Sequence, residues 1–144
     1  MFSKACEYGI KAAIYIAEQS LASRKVSLKE IAESTDSPEA FTAKILQKLG
    51  RNNIINSEKG PAGGFFMDKV QLNTICLSDI VFTIDGDDIY NGCALGLQNC
   101  NDIKPCPVHN KFAAIRDNLK NMLEKTTIQM LARKLKSGPT FLKR

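Results

Sequence analysis

Three of the five cysteines, Cys93, Cys100 and Cys106, fall in one stretch, with the chain's single histidine, His109, just beyond. The pattern is C-x6-C-x5-C-x2-H. Thiolates hold soft metals and iron–sulfur clusters, and imidazole is a frequent further ligand. Three thiols and one imidazole on a single segment therefore suit a metal-responsive element. The same four groups serve a Cys3His zinc site, and the thiols alone serve a metal-free redox switch. There is no C-x-x-C pair and no acid–base set in a glycine-framed pocket, which argues against an enzyme.

Composition narrows the setting. The chain has 144 residues, 44% of them hydrophobic, enough for one domain or a small domain with an appendage. No apolar run approaches the ~20 residues that span a bilayer. The segment Met1-Phe2-Ser3-Lys4-Ala5-Cys6-Glu7 lacks the features of a signal peptide, so a cytoplasmic protein with no membrane partner is expected. A reducing compartment and an odd cysteine count both argue against a disulfide framework. A net charge of +5 weakly favours polyanionic partners.

The elements around the cysteines follow from periodicity and capping. Apolar Cys6, Ile10, Ala13, Ile14 and Ala17 predict an amphipathic helix over residues 4–19, with Cys6 a buried core thiol. Ser27 and Glu30 form a capping box that opens a second helix ending near Ser34-Thr35. A third begins at Ser37-Pro38-Glu39, with Ser37 as its N-cap. Its stripe of Phe41, Ile45, Leu46 and Leu49 is expected to face a core. The opposite face carries Ala40, Ala43, Lys44, Gln47 and Arg51, small and polar residues suited to a major groove.

A hairpin follows directly. Ile54-Ile55-Asn56-Ser57-Glu58-Lys59 and Phe65-Phe66-Met67 read as paired strands, joined by Gly60-Pro61-Ala62-Gly63-Gly64. Glycine lets that tip approach phosphate closely, and Lys59 places a cation at its base. The loop lacks the GKS or GKT ending of a nucleotide-binding P-loop. Helix-turn-helix plus hairpin is a winged helix that binds double-stranded DNA.

Residues 68–76 read as a link to a short helix from Ser78 to about Ile84, with Cys76 packed. Asp85-Gly86-Asp87-Asp88 lacks the ligand pattern of an EF-hand and reads as a solvated turn. Beyond the cysteines, Val108, Phe112, Ile115, Leu119 and Met122 recur at a 3.5-residue period, with Leu123 beside them. Such a seam suits homodimerisation. Thr127 caps a last short helix holding Ile128, Leu131 and Leu135, and the basic tail Lys136–Arg144 is expected to be mobile.

The whole chain resembles the iron–sulfur winged-helix transcription regulators of the IscR and NsrR type. The likeness rests on Tyr8-Gly9-Ile10, Glu30-Ile31-Ala32, Ile45-Leu46-Gln47-Lys48-Leu49, the wing Lys59-Gly60-Pro61-Ala62-Gly63-Gly64-Phe65, Leu77-Ser78-Asp79-Ile80-Val81 and Cys106-Pro107-Val108-His109. It implies a homodimer on palindromic promoter DNA, usually a repressor, with one iron–sulfur cluster per subunit. That cluster is usually 2Fe–2S and sometimes 4Fe–4S, and responds to iron, redox state or nitric oxide. Members often separate the first two cysteines by one residue fewer than the six found here. His109 matches the fourth-ligand position of IscR-type proteins, and Glu7 matches the helix position where NsrR-type proteins place a carboxylate.

The resulting expectation is a mainly α chain with a small β-hairpin wing: a winged helix-turn-helix DNA-binding domain plus a long C-terminal dimerisation helix. Residues 1–68 form the DNA-binding domain, with Ser37, Ala40, Ala43, Lys44, Gln47, Arg51, Lys59, Gly60, Pro61, Gly63 and Gly64 at the interface. Residues 69–106 hold the connecting helix and cysteine loop, and residues 107–144 the dimer helix and tail, with Phe112, Ile115, Leu119 and Met122 at its interface. Zinc, or no metal and a thiol switch, is the alternative to the cluster.

Overall fold

Helix α1 (Lys4–Leu21) starts where the Ser3 hydroxyl accepts the Cys6 N–H. The computed structural model describes residues 1–143. One face of α1 buries Cys6, Ala12, Ala13, Ile16 and Ala17 completely, and the helices α2 (Leu28–Thr35), α3 (Glu39–Arg51), α5 (Leu77–Asp85) and α8 (Ile128–Lys136) pack around it. Fully buried Ile16, Ile31, Leu46, Leu49, Ile80, Leu123 and Ile128 fill the space between them. Each such side chain contributes about 1.5–3 kcal/mol. At Gly9 an added Cβ would stand 2.2 Å from Ile84 Cδ1, so glycine lets α5 lie close against α1.

Helix α2 opens with the Ser27 hydroxyl accepting the Glu30 N–H, as the capping box predicts. It stops at Asp36, left-handed at φ 50°, and the Lys11 ammonium donates to the Thr35 carbonyl at 2.8 Å. A cation there complements the negative helix end. The turn Asp36–Pro38 then leads into α3. The expected Ser37 cap is not made: Pro38 occupies that position without a side-chain cap. The Ser37 hydroxyl is instead engaged by Thr35 at 2.9 Å and by Thr42 at 2.7 Å. Thr42 is buried in the stripe, while Phe41 stays 39% exposed, edge-on to Tyr8 at 5.7 Å. The core stripe is therefore Thr42, Ile45, Leu46 and Leu49.

The hairpin pairs β1 (Asn56–Glu58) with β2 (Gly64–Phe66) antiparallel, Asn56 opposite Phe66 and Glu58 opposite Gly64. It is shorter than the residue pattern implies, because Ile54 and Ile55 are drawn into the core as irregular chain. A third segment extends the pairing, with Val26 and Phe65 exchanging both backbone hydrogen bonds. Residues 68–76 are not a plain link. Asp68 and Gln71 form a reciprocal capping box that opens α4 (Lys69–Thr74). Buried Gln71 also bonds Asn56 and the Asn53 carbonyl, tying α4 to the base of the wing.

The acidic run after α5 is not simply solvated either. Asp85 accepts from both the N–H and the hydroxyl of Ser3, and the short helix α6 (Asp88–Asn91) follows the left-handed Gly86. The long helix α7 (His109–Lys125) comes after the cysteine loop. The connection that follows it is fixed to the α4–α5 junction, with Leu77 N–H donating to the Thr126 carbonyl and Ile128 N–H to the Ile75 carbonyl. Helix α8, capped by Thr127 as expected, returns to α1 and buries Ile128 and Ala132 in the same core. The tail is also seated, since Leu142 packs against the core and Lys143 donates to the Glu33 carbonyl at 3.1 Å. Arg144 lies outside the described residues.

Candidate DNA-binding surface and cysteine loop

Helix α3 turns Ile45, Leu46 and Leu49 inward, and the opposite side leaves Ala40, Lys44, Gln47 and Arg51 exposed. Ala43 is half-buried beside Phe65 in a cleft of about 460 Å³ between α3 and the wing. Ser37 is also half-buried, its hydroxyl committed to the Thr35–Thr42 chain. Lys59, Gly60 and Pro61 project at the hairpin tip. Gly63 and Gly64 are half-buried for a steric reason. A Cβ at Gly63 would meet the Glu58 carbonyl at 2.1 Å, and one at Gly64 would meet the Val26 carbonyl at 2.8 Å. The wing is thus held close to the body while its tip stays bare.

The cysteine loop brings two of its donors into contact. Cys100 Sγ lies 3.4 Å from His109 Nδ1, at the first residue of α7. Backbone N–H groups of Leu95 and Leu97, with smaller help from the Cys106 thiol and Arg116, hold the Cys93 thiol below its ordinary range. Cys106 is a free, half-buried thiol. His109 is buried, and its Nε2 stands 2.6 Å from Asp102 Oδ1. A partner on the far ring nitrogen orients the imidazole and sets its tautomer.

Arg116 completes the arrangement. Its guanidinium donates to the Gly92 carbonyl at 2.8 Å and to Cys100 Sγ at 3.5 Å, placing a fixed cation beside the thiols. Residue types and spacing single out neither Arg116 nor Asp102. Arg116 does carry a signal: it lies seven residues after His109, two helical turns along the same face. Asp102 sits on an irregular loop and carries none.

Glu7 is placed elsewhere. It lies exposed in the first turn of α1, where its carboxylate accepts from Lys4 at 3.0 Å. No hydrogen bond among the described residues joins it to the cysteine loop. Cys6 is fully buried and Cys76 half-buried at the start of α5, so neither joins the donors of the cysteine loop. Among the described residues no three His, Cys, Asp or Glu side chains close around one point suited to a single ion.

A helix-turn-helix with an exposed polar reading face, followed by a glycine-built hairpin, defines a winged-helix DNA-binding protein. Comparison with known proteins places it more narrowly. Residues 2–134 match the family model Rrf2, described as an iron-dependent transcriptional regulator, and the chain belongs to that family. It is a bacterial DNA-binding transcriptional regulator and not an enzyme. A putative HTH-type transcriptional regulator of Aquifex aeolicus is 30% identical over 133 residues, covering 91% of this chain and 90% of the relative. Among solved structures, CymR, the global cysteine regulator of B. subtilis, superposes with a TM-score of 0.75 at 22% identity, over 93% of this chain and 97% of that one. IscR of T. potens superposes at 0.74 and 18% identity, over 97% and 91%. These two likenesses establish the winged-helix fold. No helix among the described residues is long and apolar enough to cross a membrane.

Proposed function

We propose that this regulator is a homodimeric repressor whose promoter binding responds to an iron–sulfur cluster on the cysteine loop. The observation that carries this reading is the contact of Cys100 with His109 beside Arg116, on the loop that also holds the free thiols Cys93 and Cys106. A tetrahedral zinc site needs four donors around one centre. A two-iron cluster takes one ligand pair on each iron. Three thiols and one imidazole on one loop would supply the two ligand pairs of a 2Fe–2S cluster, and the Arg116 guanidinium would offset thiolate charge. His109 rather than Glu7 is the fourth ligand of this reading, since it alone touches a loop thiol. When bound, the cluster supplies one-electron redox chemistry and a site that nitric oxide attacks. The chain's own residues hold it, orient the imidazole through Asp102 and pass changes in the loop to α7.

Two recognition helices in a two-fold dimer read half-sites about one DNA turn apart. Exposed Phe112, Ile115 and Met122, with half-buried Leu119, give α7 the surface for that pairing. Residues 1–68 carry DNA contact, 69–106 the sensor loop and 107–144 the dimer helix, with α8 folded back onto the first segment. A small change in the loop then alters the spacing of two reading heads.

The test is anaerobic purification followed by promoter footprinting. Visible absorption with iron and sulfide in the native protein, lost on Cys93→Ala, Cys100→Ala or Cys106→Ala, is the expected result. Footprints that do not change between cluster-loaded and alanine-substituted protein would sink the coupling. Neutralising Lys44, Arg51 or Lys59 should weaken promoter binding and lower the salt slope by about one for each phosphate left without its cation.

A second reading is a metal-free switch between Cys93 and Cys106, supported by the backbone N–H groups of Leu95 and Leu97 that hold the Cys93 thiol below its ordinary range. Without a metal, peroxide would oxidise that pair to a disulfide, two thiol hydrogens leaving as peroxide becomes water. A mass loss of two hydrogens confined to those residues, in colourless anaerobic protein, selects this reading over the cluster.

A further inference from the structure

Strand β2 divides two clefts. Successive strand residues point to opposite faces, so Phe65 lines the cleft beside the recognition helix whereas Phe66 lines a separate cavity behind the wing. That cavity, about 660 Å³, lies between the end of α1, the wing, α4 and α8. Its volume falls in the ~300–1,000 Å³ range of small-molecule sites. Leu21, Phe66, Met67 and Leu72 make an apolar floor, with Met67 and Leu72 nearly inaccessible.

The rim is cationic. Arg24, Lys25, Lys69 and Arg133 surround the opening against one acid, Asp68, whose carboxylate is already engaged in capping α4. Arg24 is held by Glu30 and Gln19. Lys25 pairs with Glu58 on β1 and lies 5.0 Å above the Phe66 ring. Lys69 and Arg133 have no ion-pair or side-chain hydrogen-bond partner among the described residues. Two unengaged cations over an aromatic-floored cavity match a ligand with an anionic head and an apolar body.

We propose that this cavity is an effector site for a small organic anion, a carboxylate or a phosphate ester, and that filling it weakens promoter binding. The route is local. An anion beside Lys25 competes with Glu58 for the ammonium, and the released carboxylate then stands on the wing facing a polyanion. This site shares no residue with the cysteine loop, so it acts whether or not the cluster reading holds.

The test titrates the full chain, kept anaerobic with its cysteines intact, with phenyl phosphate, benzoate and neutral benzyl alcohol while amide shifts are followed by NMR. Saturating shifts at Phe66, Met67, Leu72 and Arg133 from one or both anions, at about millimolar affinity, are expected. The anion that binds more tightly assigns the head group. Joint Lys69→Ala and Arg133→Ala should weaken binding about tenfold, the usual loss for a charge-assisted hydrogen bond. Asn73→Trp, at an exposed position on the wall, should block the cavity while leaving every cation in place. At an anion concentration that half-saturates the wild type, promoter affinity should fall a few-fold in wild type, far less in the double variant and not at all in Asn73→Trp. Equal shifts with benzyl alcohol, or anion binding unchanged by Asn73→Trp, overturn the site. Anion binding without any effect on promoter affinity overturns the effector role. A lower DNA salt slope in the double variant with unaltered anion binding would assign those cations to DNA instead.

Discussion

Burial pushes the Cys6 thiol up to about 12, with Asp85 adding to the effect, whereas backbone N–H groups hold the Cys93 thiol below its ordinary value. The pH consequence of Cys6 has a definite sign. Between about 9 and about 12 the unfolded chain has released a proton that the folded chain keeps, so stability falls as pH rises through that window. Relative to Cys6→Ala, the native protein should lose about 1 kcal/mol between pH ~8 and ~10, measured by urea unfolding at each pH. Parallel curves for the two proteins would contradict the assignment. At this scale the sequence is informative wherever chemistry is rare: thiols and a lone histidine stand out in any context. It is less informative for Ser37, Arg116 and Asp102, whose partners come from folding rather than from neighbouring residues. The Ser37 hydroxyl has the sequence context of a helix cap, yet two threonine hydroxyls brought close by the turn compete for it.

Helices α1, α2 and α3 and the wing are legible in the sequence because their periodicity, caps and glycines agree. Helix α4 is not, because six residues offer too little periodicity, although its Asp68–Gln71 capping box stands in the sequence. The wing illustrates how glycine acts at the level of an element. Gly64 has φ 138°, and a Cβ there would meet the Val26 backbone. Gly64→Ala should therefore destabilise the fold by about 1–3 kcal/mol, seen as a lower denaturation midpoint, by detaching the wing from the α1–α2 connection. Gly50→Ala, where an added Cβ meets nothing within 4 Å, is the control and should be neutral or slightly stabilising. Helix α7 divides what one heptad seam suggests. Leu123 is fully buried in the chain's own core, while Ile115 is 59% exposed. Ile115→Glu should yield a folded monomer by light scattering with unchanged circular dichroism. A dimer that persists would move the interface off this face.

For the whole molecule, the chain's two ends share one core: α8 lies along α1, and Ile128 and Ala132 are fully buried there. Deleting residues 127–144 should leave a protein that fails to unfold cooperatively, because α1 would lose the helix that covers it. Cooperative melting of the truncated chain would separate α8 from the core. This return is only half legible in the sequence, since Ile128, Leu131 and Leu135 mark an apolar stripe without naming the helix it meets. The hydrogen bonds at Asp85–Ser3 and at Ile75–Ile128 carry a mechanical consequence. The segment between them, cysteine loop and α7 together, is an arch with both feet bolted to the same foundation. A loop ending in a free terminus could relax any strain by swinging outward. An arch is more constrained, so under the proposed sensor role tightening or loosening at its cysteines would be felt as a change in the tilt of its long span.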